Sequence, residues 1–360
     1  MDFSLLIFGL FTLAYLGAML YLANTQDIAR SQAAAHPQNV QADKSRQQSE
    51  TALRWMLYGM AGIMFVFGLL ILQMALLPDT AATESLELPP VDMTAALVNF
   101  ALSTAAAFLS VRLVLSKPLR EFVKRLTGTN STYNAASYLH LTAMVLALFL
   151  VIVTIGQTVL SGGIAGLAQS IESQDVSPGQ MVFQTALFIA VALLGVGMAI
   201  RRSVPQTLAR LGLRLPTTSD ITWGLGAGIL LYVVQIILVT IWFSISSPEL
   251  IAQQSAASNE LAGQFNSLPM AFVLSLSAAV SEEILFRGAL QPVFGLGMTS
   301  LFFVLVHIQY TFTPITLIIF VVALGFGWLR ERQSTSAAII AHFIYNFVQL
   351  ALVVLLAGGS

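Results

Sequence analysis

The chain has 360 residues, 57% of them apolar and only 9% charged, with a net charge of −1 and a mean hydropathy of +0.82. A soluble domain carries about 25% charged residues, so this composition excludes one and indicates an integral membrane protein. The absence of cysteine excludes disulfides, thiolate metal sites and cysteine nucleophiles, and the charge pattern holds no basic tract that would bind nucleic acid.

A bilayer-crossing helix needs about 20 apolar residues. That length predicts ten spans, at 3–23, 55–77, 93–115, 138–160, 181–200, 221–244, 268–289, 295–310, 312–329 and 335–357. The expected fold is therefore all-α, a polytopic transmembrane helical bundle. The first span has Asp2 as the only charge before it and exceeds a usual signal-peptide core, so it reads as a retained helix. Between the first two spans, Asn24 to Glu50 reads as a solvated, partly helical cytoplasmic loop too poor in apolar residues to form a core.

Lys and Arg accumulate in cytoplasmic loops. Arg30, Lys44, Arg46 and Arg54 lie around the first loop, and Arg112, Lys117, Arg120, Lys124 and Arg125 follow the third span. Arg201, Arg202, Arg210 and Arg214 follow the fifth, Arg287 closes the seventh, and Arg330 and Arg332 close the ninth. The alternate loops carry Asp79, Glu84, Glu87, Asp92, Glu172, Asp175, Glu249 and Glu260 without a cation. This asymmetry predicts both termini outside.

Within the fifth-to-sixth connection, Arg201 to Asp220 reads as an amphipathic lead-in on the cytoplasmic face. Gly224, Gly226 and Gly228 lie inside a span with no preceding strand, so they are read as close helix packing rather than a nucleotide loop. Gln157, Gln184 and Gln235 are expected to form interhelical hydrogen bonds. His36 and His140 are given no role.

The last third holds three polar clusters: Glu282-Glu283 with Arg287, Phe303 with His307, and His342 with Asn346. Each charged group in hydrocarbon carries a penalty of roughly 2.5–3.5 kcal/mol on insertion scales, and such groups face each other or a water-filled cavity. Glu283 and Arg287, four apart, can pair on one helix face. Glu282 points about 100° away from Glu283, which frees it for another task. A structural ion pair is the competing reading for Glu283 and Arg287, and helix packing is the competing reading for either histidine alone. Carboxylates, imidazoles and an amide together are what water-mediated peptide hydrolysis requires.

These residues carry a family resemblance. Glu282–Gly288 (EEILFRG), Phe303–His307 (FVLVH) and His342–Asn346 (HFIYN) resemble the three motifs of the CPBP family. That family comprises CAAX-processing endoproteases and the bacteriocin-processing and self-immunity proteins of the Abi group. The stretch Gly325 to Leu329 resembles the family's segment ahead of its last motif, and the likeness covers about 268–350. The resemblance implies an intramembrane endopeptidase domain at 216–360, with 1–215 as an accessory five-span region. It assigns Glu282 as the general base helped by His307, His342 and Asn346 as oxyanion donors, and Glu283 and Arg287 as supports, beside Phe303.

The family is commonly labelled metalloprotease, and Glu282, His307 and His342 could supply three zinc ligands. No H-E-x-x-H pair exists on one helix, however, and Asn346 suits an oxyanion donor, so a mechanism without a cofactor is expected. The expected partners are a peptide substrate, either a prenylated tail or a leader peptide, and the lipid bilayer. The expected location is a bacterial plasma membrane, with the site toward its cytoplasmic half. A non-enzymatic immunity or scaffold protein of the same fold, and a proton-coupled transporter, are the alternatives.

Overall fold

The apolar stretches of the sequence are helical almost throughout among the described residues. The structure, a computed structural model, describes residues 3–35, 40–77, 91–128, 130–162, 178–252, 255, 267–307 and 314–357. Its helices are α1 (Phe3–Ala35), α2 (Val40–Leu76), α3 (Met93–Leu115), α4 (Lys117–Leu126), α5 (Tyr138–Leu160), α6 (Pro178–Gly195), α7 (Val204–Leu211), α8 (Thr218–Ile245), α9 (Leu268–Glu282), a π-helical segment (Glu283–Leu290), α10 (Gln291–Leu305), α11 (Ile315–Arg332) and α12 (Thr335–Ala357). Among the described residues, six helical runs are long and apolar enough to cross a membrane. The protein is an all-α polytopic membrane protein.

Polar residues at the span ends start the helices. Asp92 caps α3 through the Ala95 N–H at 2.8 Å, Ser137 caps α5 through His140, and Thr217 with Asp220 forms a reciprocal capping box on α8. One expectation is corrected here. The polar stretch after the first span is not a loop: α1 continues to Ala35 and α2 begins at Val40, with Asn24 and Gln26 fully buried. The Gln/Ala composition favours helix, and tertiary contacts fix it, because Asn24 Nδ2 donates to Leu194 O at 3.1 Å and Gln26 Nε2 to Arg46 O at 3.0 Å. His36, Asp79, Glu84, Glu87, Glu172, Asp175 and Glu260 lie outside the described residues.

The segments that carry the cations meet at one end of the bundle. Asp27 accepts from Tyr138 N at 2.8 Å, Thr132 N donates to Pro292 O at 2.7 Å, and Arg210 Nη1 donates to Gly288 O at 3.1 Å. The lead-in between α6 and α8 does more than lie on a surface. Gly212 ends α7 in a left-handed conformation, φ 70°, its carbonyl accepts from Thr335 N at 3.0 Å, and a Cβ there would stand 2.9 Å from Thr335 Oγ1. That contact locks α7 to the start of α12.

The main core joins α1, α2, α3 and α5, with Phe294 reaching into it. A smaller apolar cluster of Phe286, Phe303, Ile319 and Ala323 lies at the first two motifs. α8 packs along α12 because its glycines remove the Cβ atoms between them. A Cβ on Gly224 would be 2.7 Å from Ile340, and one on Gly228 would be 2.6 Å from Ala341 O. Gln235 donates to Gln349 at 3.0 Å between the same helices. Gln157 and Gln184, by contrast, have exposed side chains.

Candidate active site

The run from α9 to α10 is a hairpin turned at one residue. Gly295 has φ 76° and ψ 170°, a conformation that only glycine adopts readily, and it sits against Gly128, whose N would be 2.9 Å from a Cβ. Residues at nearly equal distances on either side of this turn come together: Phe286 meets Phe303 with ring centroids 5.2 Å apart, and Glu282 Oε2 faces His307 Nε2 at 3.8 Å. A glycine in the sequence thus sets which residues of the first two motifs face each other.

The π-helical segment sits at the first motif. Gln291 N–H bonds to Phe286 O, one residue further back than in an α-helix, and such insertions recur at functional sites. Its first turn points two adjacent carboxylates in different directions. Glu283 is fully buried, with Oε2 3.3 Å from Arg287 Nε and Oε1 3.0 Å from His342 Nδ1. Arg287 is also fully buried; it donates to Ala323 O at 3.2 Å and lies over the Phe303 ring at 4.7 Å. Its guanidinium is therefore interior, and the expectation that it closes a span among the cytoplasmic cations is corrected. Glu282 and His307 keep about a fifth of their side chains exposed, 22% and 20%.

Both imidazoles are oriented through Nδ1. His307 Nδ1 lies 2.6 Å from Phe303 O, and a carbonyl oxygen only accepts, so Nδ1 carries the proton. The ring lies tilted at 36° against Phe303, with centroids 4.4 Å apart. His342 is held between the Glu283 carboxylate and the face of Phe326, 4.8 Å away at 19°. Asn346 follows His342 by one turn of α12, half-buried, with no hydrogen-bond partner among the described residues. The structure thus brings Glu282, Glu283, Arg287, Phe303, His307 and His342 into one connected set, with Asn346 beside it.

Zinc needs three convergent ligands. Among the described residues no three His, Asp or Glu side chains are gathered as a metal ion requires. Glu282 pairs with His307, while the Nδ1 of His342 is turned to Glu283. The side chains as placed do not fit a zinc site.

Residues 264–348 match the sequence model of the family described as type II CAAX prenyl endopeptidase, Rce1-like. The matched region holds all three motifs and supports their likeness to the CPBP family. No curated protein and no solved structure matches the chain. Two contributors to this site escaped the motif reading: the Ala323 carbonyl on Arg287, and Gln291, which is buried and donates to Gly327 O at 2.8 Å; Phe326, inside the Gly325 to Leu329 stretch already noted, packs on His342. The glycines around Phe326 were the available signal. A Cβ on Gly327 would be 2.8 Å from Gln291 Oε1, and one on Gly325 would be 2.5 Å from Leu231, so α11 approaches its neighbours closely there.

Proposed function

We propose that this protein is an intramembrane endopeptidase that hydrolyses a peptide bond in a membrane-tethered or leader-type substrate, using water activated by Glu282 and His307. The observation that carries this reading is the facing of Glu282 Oε2 and His307 Nε2 across 3.8 Å. With its proton on Nδ1, a neutral His307 presents a lone pair at Nε2 toward Glu282, whose Oε2 is covered and has no hydrogen-bond donor among the described residues. Two acceptors cannot bond each other. A small rotation of either partly exposed side chain admits one water that donates an O–H to each, leaving an oxygen lone pair free to attack a carbonyl carbon. The water's proton passes to Glu282 and then to the departing amine nitrogen, as general acid–base catalysis requires.

The carbonyl oxygen becomes an oxyanion, which the Asn346 amide can stabilise by donating. His342 donates from Nε2 only when both ring nitrogens are protonated, since Nδ1–H is committed to Glu283. Glu283 and Arg287 are positioning residues that hold the His342 ring and the base of the hairpin. Residues 216–360 form the peptidase unit and 1–215 an accessory region. The family description and the basic loops at the hairpin end support a lipidated or leader peptide entering from the cytoplasmic half of the bilayer.

The mechanism needs no metal, and full activity after exhaustive chelation is its expected outcome; activity lost to a chelator and restored by stoichiometric zinc overturns that part. Glu282→Gln, His307→Ala and Asn346→Ala should each abolish cleavage in protein that is inserted and folded. Proteomics of membranes carrying wild-type or Glu282→Gln protein should show substrate termini that vanish in the variant. If the biological phenotype survives all three substitutions, the protein acts as a scaffold and the peptidase reading fails.

A further inference from the structure

A cavity of about 900 Å³ lies between α1, α5, α6 and the π-helical segment, and contains none of the seven motif residues apart from backing onto their helix. Its depth is apolar, walled by Leu16, Phe149, Phe188 and Leu290. Its other end is cationic, where Arg30, Arg201, Arg202 and Arg210 converge beside His140. From His140 to Leu150 along α5 the lining runs roughly 15 Å at the α-helical rise, about the thickness of one leaflet's hydrocarbon.

The charges of these cations are not neutralised within the described residues: Arg30 donates to Ala136 O, Arg202 to Val196 O and Arg210 to Gly288 O, all uncharged carbonyls. Among the described residues none of the four arginines pairs with a carboxylate. The nearby Asp27 is occupied by Ser137 and the Tyr138 N–H. Arg30 lies over the Tyr138 ring, and His140 Nδ1 accepts from Asn134 N at 2.9 Å. Burial, then the like charges of Arg202, Arg330 and Arg201, push the Arg210 guanidinium down to about 10, so the crowding works against the cations as they stand. The turn that presents Arg201 and Arg202 is strained: Ala199 has φ 59° and Gly197 φ 87°, and the backbone closes through Ala199 N to Arg202 O at 3.0 Å. Strain of this kind persists where surrounding structure over-determines it.

An apolar channel one leaflet deep under a ring of guanidinium groups that have no carboxylate partner among the described residues fits one ligand chemistry. We propose that this cavity is a binding site for an anionic membrane phospholipid, with an acyl chain between α1, α5 and α6 and the phosphate diester on Arg201, Arg202 and Arg210. Arginine is suited to phosphate through its planar donor fork, and the anion relieves the repulsion among the cations. The acyl chain lies against Leu285, Ala289 and Leu290, on the side of the π-helical segment opposite Glu283.

Delipidated full-length protein, reconstituted in nanodiscs of mixed phosphatidylglycerol and phosphatidylcholine, tests this by native mass spectrometry of the lipid it retains. Wild type should retain phosphatidylglycerol in preference to phosphatidylcholine, and neither inorganic phosphate nor glycerophosphate should displace it. The double variant Arg201→Gln/Arg202→Gln should lower retention roughly tenfold or more, the effect of losing charge-assisted hydrogen bonds. Ala143→Phe, which fills the channel and leaves the cations in place, should lower it as well. Equal retention of the two lipids by wild type, complete displacement by phosphate alone, or wild-type retention by both variants each overturns the proposal. The wild-type comparison decides even where a variant fails to fold, and lipid retention is read without any peptidase assay.

Discussion

Removing either partner of the buried Glu283–Arg287 pair should damage the fold far more than removing both. Each side chain is fully buried and the charges approach to 3.3 Å. Arg287→Met leaves the Glu283 carboxylate with the His342 Nδ1–H at 3.0 Å as its remaining donor. Glu283→Gln leaves Arg287 with the Ala323 carbonyl at 3.2 Å and the face of Phe303. Stranding a charge in this way costs about 3–5 kcal/mol, whereas replacing a whole buried pair with neutral groups is often close to neutral. The double variant should therefore recover much of the loss, giving a coupling of at least ~2 kcal/mol in a double-mutant cycle. At roughly 2–4 °C per kcal/mol for chains of 150–250 residues, each single variant should melt roughly 6–20 °C below wild type in detergent at fixed lipid content. Additive effects, or single variants within about 1 kcal/mol of wild type, would show that the pair is not a buried ionic contact and refute the reasoning.

Glu282→Gln should behave in the opposite way. Its carboxylate is partly exposed and faces His307, so stability should stay within about 0.5 kcal/mol of wild type while cleavage falls by ~10² or more; a stability loss as large as that of the Glu283 and Arg287 variants would make Glu282 structural. Asn346→Ala should lower the turnover rate by ~10²–10³, measured on a membrane-reconstituted substrate, and an unchanged rate removes Asn346 from the oxyanion role. Gly228→Val brings a side chain to within 2.6 Å of the Ala341 carbonyl and should destabilise by about 1–3 kcal/mol. Gly226→Ala, where a Cβ meets open space, should be neutral or stabilising by up to ~1 kcal/mol.

Composition and span length were enough to read an all-α membrane protein, because hydrocarbon forces every backbone polar group to be satisfied within a helix or a closed barrel. The glycines of α8 were also legible, since spacing by four predicts close approach whatever the partner helix. The helical nature of 24–35 and 40–50 was not, because the buried bonds of Asn24 and Gln26 go to residues 170 and 20 positions away. The same limit applies to Arg287. Its place in a count of charges fits a span end, and only the packing of Glu283, Ala323 and Phe303 around it shows that it is interior.

By itself, the sequence determined the kind of groups in the last third and their order along three helices, since a charged or polar side chain in an apolar span stands out from one sequence alone. The pairing of those groups was left to the tertiary structure. Gly295 folds α9 against α10 so that Glu282 meets His307, and the π-helical segment turns Glu283 away toward Arg287 and His342. Adjacent carboxylates are chemically identical in the sequence. What separates them is burial and the partner each one faces, and both are properties of helices that come from distant parts of the chain.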